Sequence, residues 1–300
     1  MDRFHQMQVY TAVAEEEGFA AAARRLKMSP PAVTRAVASL EAQLGVKLLN
    51  RTTRYVRVTE AGMRYLDDCR RILGELDAAD EAAAGINAEP RGHLSVTAPV
   101  LFGRLFVMPT IVEYLQRYPE MKVDALLLDR VVSMVEEGMD VGVRIGEMPD
   151  SSLRALPVGS VRRVLVASPD YLEQHGCPQQ PQQLLERAII ASSAGNFTIG
   201  WQFLYPDDER TLKVRPRLTV TTNDAAIAAA EAGFGITRVL SYQVATQVAA
   251  GSLQIVLPHY EPVPSPVHIV HREGRFASVK ARAFIDLLAQ RLRADPALNR

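Results

Sequence analysis

The stretch KMSPPAVTRAVASLEAQLG, residues 27–45, predicts a helix that begins at a double proline. Ser29 is a good N-cap residue, and Pro30 and Pro31 fall in the first helical turn, where a missing N–H leaves no hydrogen bond unmade. Apolar residues recur at helical spacing and form a core stripe of Val33, Val37, Leu40 and Leu44. Gly45 is expected to end the helix, because glycine favours the left-handed position that follows a helix.

The side of this helix opposite the core stripe carries small residues and one cation instead of the usual glutamates and lysines. It consists of Pro31, Thr34, Arg35, Ala38, Ser39 and Ala42. A short helix is predicted directly before it, over residues 19–26, and two short helices joined by a tight turn are typical of the helix-turn-helix. Small side chains would let the second helix lie deep in a major groove, where Thr34 and Arg35 can reach base edges. An alanine-rich helical core with a solvated arginine explains this segment equally well.

Residues 48–62, LLNRTTRYVRVTEAG, predict a short β-hairpin directly after the helix, with a turn at residues 50–53. The hairpin bears Arg51, Arg54 and Arg57, and a basic hairpin behind a recognition helix is a wing that contacts phosphate or the minor groove. The alternative is a solvated edge hairpin whose charges discourage pairing with other strands. The predicted DNA-binding residues are Ser29, Pro30, Pro31, Thr34, Arg35, Ser39, Arg51, Thr52, Thr53 and Arg54.

Charge is distributed unevenly along the 300 residues, although the formal net charge is zero. Nine basic and two acidic residues lie within residues 21–66, so the remainder of the chain is net acidic. This asymmetry favours a module that binds double-stranded DNA, joined to a larger domain. The sequence shows neither a signal-like segment nor an apolar run near the length of a membrane span, so we expect a cytoplasmic protein without membrane contact. Cys69 and Cys177 stand far apart and indicate neither a disulfide framework nor a zinc site.

Thr59 is a predicted N-cap, and the helix that it starts is expected to run to about residue 86. Its apolar positions follow a near-heptad spacing: Met63, Leu66, Cys69, Leu73, Leu76, Ala79, Ala83 and Ile86. A lone exposed helix cannot bury such a stripe, so the helix packs either against a second copy of the chain or against the chain's own domains. Residues 87–92 are polar, contain proline and glycine, and predict a hinge between two domains.

Beyond the hinge, strand-like and helix-like segments alternate, which predicts mostly parallel sheets covered by helices in two α/β lobes. Open sheets of this kind bind ligands at the carboxyl ends of their strands. The residues predicted there are Thr97, Pro99, Val100, Leu101, Asp129, Arg144, Ile145, Gly146, Asn196, Phe197, Thr198, Trp201 and Asn223. Together they outline a cleft for a small polar effector, with carboxylate-bearing molecules among the candidates. For each residue alone, a cap, a structural ion pair or a core position is as good an explanation.

Signals for catalysis are weak. GFGIT, at residues 233–237, is only a GxG and is better explained as a helix-to-strand turn than as a dinucleotide-binding loop. His268 and His271 fall on opposite faces of a predicted strand and cannot bind one metal together. We therefore predict no enzymatic activity, no catalytic residue, no cofactor and no metal.

The first 62 residues resemble the winged helix-turn-helix of the LysR-type transcriptional regulators. The residues that carry the resemblance, at the family's spacing, are Phe19, Ala22, Ala23, Leu26, Ser29, Ala32, Val33, Leu40, Glu41, Leu44, Gly45, Leu48, Arg51, Thr59 and Gly62. Leu49 departs from the family pattern, which usually has an aromatic residue there, and Pro30 stands where a polar residue is frequent. The last two hundred residues fit the family's effector domain, which resembles periplasmic solute-binding proteins.

The resemblance implies an α/β protein with three parts. Residues 1–62 would be the winged helix-turn-helix domain, 63–90 a linker helix and hinge, and 91–300 a two-lobed effector-binding domain. Within the latter, lobe 1 would comprise about 91–161 and 267–300, and lobe 2 about 162–266.

The resemblance also implies a function, namely ligand-responsive, sequence-specific regulation of transcription. In the family the linker helix pairs with that of a second subunit, which here implies a dimer seam of Met63, Leu66, Cys69, Leu73, Leu76 and Ala83. Such dimers can assemble into tetramers, and RNA polymerase is a further partner when the regulator is an activator. The alternative is a cytoplasmic two-lobed small-molecule-binding protein or enzyme whose first 90 residues serve oligomerisation only.

Overall fold

The computed structural model describes residues 2–51, 56–84, 89–130, 133–134, 137–148, 153–194, 200–206, 208–272 and 278–298, with the backbone alone at 51, 75, 77–84 and 272. The chain divides into two compact units. The first is built mainly from Met1–Glu89, and the second from most of residues 90–300.

The first unit packs helices around one core and adds a two-stranded hairpin and a long helix. Its elements are α1 Arg3–Glu15, α2 Phe19–Arg25, α3 Pro30–Leu44, β1 Leu49–Arg51, β2 Val56–Val58 and α4 Glu60–Ala84. The predicted core stripe of α3 is confirmed, because Val33, Val37 and Leu40 are fully buried against residues of α1 and α2. Gly45 ends α3 at φ 68°, the left-handed conformation that its position predicts.

The second unit alternates strands and helices. In chain order its elements are β3 Gly92–Ala98, α5 Val100–Phe102, α6 Met108–Arg117, β4 Met121–Leu127, β5 Val141–Ile145, β6 Leu153–Val161, β7 Arg163–Ala167, α7 Pro169–His175, β8 Ile189–Ser192, β9 Gly200–Tyr205, β10 Asp208–Lys213, β11 Pro216–Val220, α8 Asn223–Glu231, β12 Ile236–Leu240, α9 Ala245–Ala250, β13 Gln254–Val256, β14 Ser265–Arg272 and α10 Val279–Ala294. A π-helical turn, Gly103–Val107, joins α5 to α6. Pro109, in the first turn of α6, has no N–H and so cannot donate a backbone hydrogen bond to this turn.

Among the described residues, ten of the twelve strands of this unit form two five-stranded sheets, one in each lobe, and β9 and β10 pair antiparallel as a separate hairpin. The lobe 1 sheet has the order β4-β3-β5-β14-β6, and the lobe 2 sheet has the order β11-β8-β12-β7-β13. In each sheet the first three strands pair in parallel, and the fourth strand, β14 or β7, runs antiparallel to both of its neighbours. The two-lobed α/β architecture predicted from the alternating segments is confirmed. The chain crosses between the lobes at Arg162, and again between β13 and β14.

The two faces of the lobe 2 sheet are covered by different elements. Val164 and Val166 of β7 pack on the side of α8, whereas Leu165, between them, packs on the other side under the β9–β10 hairpin. Trp201 and Phe203 of β9 belong to this second cluster and are buried in it. The β9–β10 hairpin therefore covers the lobe 2 core on this side of the sheet.

Candidate nucleic-acid interface and effector cleft

The outer face of α3 is open to solvent, as a recognition helix requires. Pro30, Pro31 and Arg35 are exposed, and the small residues Ala38 and Ala42 beside them leave the helix backbone accessible. Among the described residues, no ion pair holds the Arg35 guanidinium. This face can therefore approach a flat or grooved polyanion closely and present one arginine to it.

Ser29 occupies the N-cap position of α3 by its backbone angles, φ −75° and ψ 142°, but its hydroxyl makes no capping bond. The double proline explains this difference from the sequence prediction, because an N-cap side chain accepts from the second or third N–H of the helix. Pro31 has no N–H, and the N–H of Ala32 donates to the Ser29 carbonyl oxygen at 2.9 Å. The Ser29 hydroxyl thus stays at the exposed end of the helix as a group that can contact phosphate.

Two other predicted contact residues on α3 are engaged within the protein. The Thr34 hydroxyl donates to the Pro30 carbonyl oxygen at 3.0 Å, so it can accept but not donate a hydrogen bond to a base while this bond persists. Ser39 Oγ accepts from Nε2 of the buried Gln6 at 3.1 Å. Ser39 therefore fastens α3 to α1. Because it is exposed and its hydroxyl can still donate a hydrogen bond, its contact with DNA stays a prediction. Arg35 is left as the principal donor.

The predicted basic hairpin after α3 is confirmed, since β1 and β2 pair antiparallel with Leu49 opposite Val58. Val56 and Val58 pack against the core of the first unit, and Arg57 between them is exposed. Thr52, Thr53 and Arg54, together with the side chain of Arg51, lie outside the described residues, so their contacts with DNA stay predictions.

A buried carboxylate, Glu41, fastens the hairpin to the end of α3. Its Oε1 accepts from the backbone N–H groups of Leu48 at 2.9 Å and Leu49 at 3.1 Å, and its Oε2 accepts from Lys47 Nζ at 2.9 Å. Burial acts to raise the pKa of Glu41, but the Lys47 ammonium and the two N–H groups outweigh it and hold this pKa below its usual value. The sequence analysis names Glu41 only among the residues that carry the family resemblance. The position of an acid on the core side of α3 could have indicated that it holds the hairpin.

The hairpin is held from its other side by the start of α4. Thr59 is the N-cap that its position predicts, because Gly62 N–H donates to its Oγ1 at 2.9 Å, and the Thr59 hydroxyl in turn donates to the Lys47 carbonyl oxygen at 2.8 Å. The Gly62 carbonyl oxygen accepts from the hydroxyl of the buried Tyr10 at 2.8 Å. These bonds fix the hairpin between α3 and α4, and so set its position beside the outer face of α3.

The predicted dimer seam of α4 is only partly available to a second subunit. Leu66 and Cys69 are 4% and 0% exposed in the core shared with α1, so the prediction that they contact a second copy is wrong, because α1 already covers them. Burial also raises the pKa of Cys69 to about 12, which leaves an inert thiol. Met63 is 53% exposed, and Leu73 and Leu76 are half-buried, so these residues remain open to pairing. The Ala83 side chain lies outside the described residues.

In lobe 1, the predicted effector residues gather at the carboxyl ends of β3 and β5. Thr97 is fully buried, and its Oγ1 has no hydrogen-bond partner among the described residues. Asp129 Oδ1 accepts from the N–H of Val100 at 3.0 Å, at the start of the helical run that begins with α5. An internal carboxylate thus occupies the helix N-terminus where an acidic ligand would otherwise bind.

The neighbouring predicted residues frame the same end of the lobe 1 sheet. Pro99 is the N-cap of α5, Leu101 is buried behind it, and Ile145 ends β5. Arg144 lies opposite His268 across the β5–β14 pair, and Gly146 N–H donates to the Pro266 carbonyl oxygen at 2.9 Å. Gly146 has φ 112°, a conformation that a residue with a Cβ rarely adopts.

In lobe 2, the cleft is completed by a residue that sequence reasoning missed. Tyr242, which follows β12, is buried, and its ring packs edge-on against Phe102 and Phe106 of lobe 1 at centroid distances of 5.3 and 5.7 Å. Burial raises the pKa of this phenol, and the charge of Asp129 adds to the effect. Its position at the carboxyl end of a predicted strand is the sequence feature that could have indicated a place at the cleft. These rings join the two lobes beside Asp129.

Comparisons with known proteins agree with this geometry. Residues 4–63 match the family described as bacterial regulatory helix-turn-helix protein, lysR family, and residues 87–293 match the LysR substrate binding domain. The chain belongs to the LysR family of transcriptional regulators.

Relatives in this LysR family match along nearly the whole chain. An HTH-type transcriptional regulator of Xanthomonas campestris pv. campestris is 32% identical over 291 residues, 96% of this chain and 85% of that protein. The HTH-type transcriptional activator AaeR of Escherichia coli is 31% identical over 290 residues, 96% of this chain and 93% of its own. The structure of CrgA, a LysR-type transcriptional regulator from Neisseria meningitidis, matches with a TM-score of 0.62 and 29% identity, covering 96% of this chain and 98% of that one.

One of the predicted effector contacts in this LysR-family chain, Trp201, is corrected by the structure, whereas the effector contact of Asn223 stays a prediction. Trp201 is 3% exposed under the β9–β10 hairpin and is a core residue of lobe 2. Asn223 is the first residue of α8, whose N-cap is Thr222; the Thr222 Oγ1 accepts from Ala225 N–H at 3.4 Å. Asn196, Phe197 and Thr198 lie outside the described residues.

The described residues of this LysR-family chain hold neither a membrane-spanning helix nor a metal-binding cluster. None of their helices is both long enough and apolar enough to cross a membrane. In the same part of the chain, no group of three or more histidine, cysteine, aspartate or glutamate side chains could hold a metal ion.

Proposed function

We propose that this chain is a ligand-responsive, sequence-specific DNA-binding regulator of transcription that acts in the cytoplasm, and that it is not an enzyme. The observation that carries the proposal is the exposed face of α3, with Arg35 among small residues, beside a hairpin that Glu41 and Thr59 fix in place. Arginine binds guanine O6 and N7 through two hydrogen bonds, which is the commonest specific contact in the major groove.

The effector of the proposed regulator binds between the lobes. The support is the unpartnered hydroxyl of Thr97, together with the aromatic contact of Tyr242 with Phe102 beside Asp129. A ligand that contacts both lobes binds best to the arrangement in which both lobes contact it. Its binding therefore raises the population of that arrangement. We propose a small polar effector. If it bears a carboxylate, that group competes with Asp129 for the N–H of Val100.

The proposed oligomer is a dimer that pairs through the open part of α4, namely Met63, Leu73 and Leu76. A dimer presents two α3 helices to two half-sites, which raises both affinity and specificity. Association of dimers into tetramers and contact with RNA polymerase are further steps that the proposal allows.

Arg35→Ala tests the proposed base contact. Loss of one bidentate arginine–guanine contact should weaken binding to the cognate site by about 1 to 3 kcal/mol, with a smaller loss on random duplexes. The measurement is the dissociation constant of the full-length protein on both kinds of DNA at one salt concentration.

Arg70→Ala is the matched control, because Arg70 is also an exposed arginine of the first unit but pairs with Glu15 of α1 at 3.4 Å. It removes the same charge without touching the outer face of α3. Equal losses on cognate and random DNA for Arg35→Ala, or equal losses for the two variants, would contradict direct readout by Arg35.

The whole proposal is tested by gel shift with the DNA upstream of the protein's own gene, with and without candidate metabolites. A retarded complex that a metabolite alters is the expected result. Turnover of a metabolite without any DNA binding would favour a two-lobed enzyme instead.

A further inference from the structure

Lobe 2 carries a second polar pocket, on the side of its sheet that the β9–β10 hairpin covers. We call it the arginine pocket and define it by Arg163, Phe203, Arg238, Tyr260 and Glu261. Its volume is only about 10 Å³, which is room for about one water molecule. Arg163 follows the first connection between the lobes, at residue 162, and Glu261 lies in the second connection, between β13 and β14. The pocket is therefore next to both connections.

Two guanidinium groups share this pocket without an acidic partner. Arg163 begins β7 and Arg238 lies in β12, and their side chains share one face of the sheet, because Arg238 is opposite Leu165 and Arg163 is opposite Leu240. Among the described residues, neither arginine makes an ion pair with an acid. Burial lowers the pKa of Arg238 to about 9, and the nearby charge of Arg163 contributes. Both groups remain cationic at neutral pH and repel each other.

Among the described residues that line the pocket, Glu261 carries the one carboxylate, and it is already engaged. Glu261 accepts from Arg162 Nη1 at 3.1 and 3.3 Å, so these two charges neutralise each other. Arg163 and Arg238 therefore leave the pocket with two uncompensated positive charges. Arg238 is also held in place, since its guanidinium lies over the ring of Trp201 at 5.0 Å. A fixed arginine beside a second one is an arrangement that suits oxyanions, whose geometry matches the guanidinium fork.

We infer that the arginine pocket is a binding site for a compact, doubly charged oxyanion, held between Arg163 and Arg238. The site is separate from the effector cleft and goes beyond the proposed regulation of transcription. Two cations on one face favour two negative charges. The pocket has room for about one oxygen atom of sulfate, phosphate or a carboxylate, and the rest of the anion would lie at its mouth beside the exposed Arg163. Because the pocket borders both connections between the lobes, an anion there would bias the lobe arrangement.

Trp201 is the only tryptophan in the chain and lies under Arg238, so its fluorescence reports on this pocket. We would titrate the full-length protein with sulfate at constant ionic strength, replacing chloride. A saturable change in emission is expected. Arg163→Gln should weaken sulfate binding about tenfold or more, the loss expected for a hydrogen bond to a charged group. Because Arg163 is exposed, this variant should fold normally, as circular dichroism would show.

Arg217→Gln is the matched control, because Arg217 is an exposed arginine of the same lobe that lies over Phe234 at 5.6 Å. Its sulfate affinity should equal that of the unaltered protein. Parallel titrations with phosphate and malonate distinguish an inorganic oxyanion from a dicarboxylate as the preferred ligand, and tighter binding of either than of chloride supports the site. A change that does not saturate, an equal response to chloride, or unaltered sulfate affinity in Arg163→Gln would overturn the inference.

Discussion

Glu41→Ala is expected to destabilise the first unit by about 3 kcal/mol or more, and thereby to abolish DNA binding at temperatures where the unaltered protein binds. The substitution leaves the N–H groups of Leu48 and Leu49 buried without acceptors, and each such group costs about 1 to 3 kcal/mol. The lost contact with Lys47 adds little, because that side chain is 76% exposed and well screened. The hairpin would then separate from the end of α3.

Hydrogen exchange measured by mass spectrometry locates this effect. The amides of Leu48 and Leu49 should exchange much faster in Glu41→Ala than in the unaltered chain, whereas those of the second unit should not change. Glu60→Ala is the control, since Glu60 is also a glutamate of the first unit but is 89% exposed and pairs only with Arg64 among the described residues. It should change stability by about 0.5 kcal/mol or less. Unaltered exchange in Glu41→Ala would refute the role assigned to this carboxylate.

The same carboxylate makes the first unit sensitive to acid. The pKa of Glu41 is lowered in the folded protein, so its stabilising contribution is fully present above the unfolded value, about 4.3, and is lost as the pH falls through the folded value. Glu41→Gln removes this titration while keeping one side-chain acceptor. We expect the variant to be less stable at neutral pH and to lose less stability than the unaltered chain on acidification.

Features of this fold that depend on neighbouring residues could be predicted from the sequence. The core stripe of α3, its double-proline start and its glycine stop all lie within 19 residues, and local rules decide them. The cap at Thr59 and the hairpin after α3 are local for the same reason. The lobes could be predicted as well, because alternating strands and helices restrict the architecture to few choices.

Features that depend on contacts between distant residues could not be predicted. Trp201 is buried because β9 folds over the lobe 2 sheet, and Cys69 because α1 crosses α4, yet neither crossing leaves a trace in the nearby sequence. Ser39 holds α3 to α1, because its hydroxyl accepts from Gln6, 33 residues earlier. Tyr242 gains its place at the cleft from packing against lobe 1. In each case the role of the residue comes from tertiary structure.

Gly62→Ala is expected to cost about 3 kcal/mol of unfolding free energy in the first unit, a large loss for one added methyl group. A Cβ at this position would lie 2.1 Å from the Leu48 carbonyl oxygen and 2.8 Å from Val58 Cγ1. The first contact is with backbone, so α4 or β1 must move as a whole. Such a shift would also strain the bonds of Gly62 with Thr59 and Tyr10.

Gly74→Ala, in the same helix, is the matched control. A Cβ there meets no atom within 4 Å, and alanine favours helix over glycine, so this variant should gain about 0.5 to 1 kcal/mol. Urea unfolding followed by circular dichroism gives both values, and the DNA affinity of each variant shows whether the hairpin keeps its position. The two substitutions should change the free energy of unfolding in opposite directions. Gly62 permits a close contact between α4 and the start of β1, whereas no atom lies close to Gly74. If Gly62→Ala were as stable as Gly74→Ala, the close contact between α4 and β1 would not exist in solution, and the hairpin would need another anchor beside Glu41.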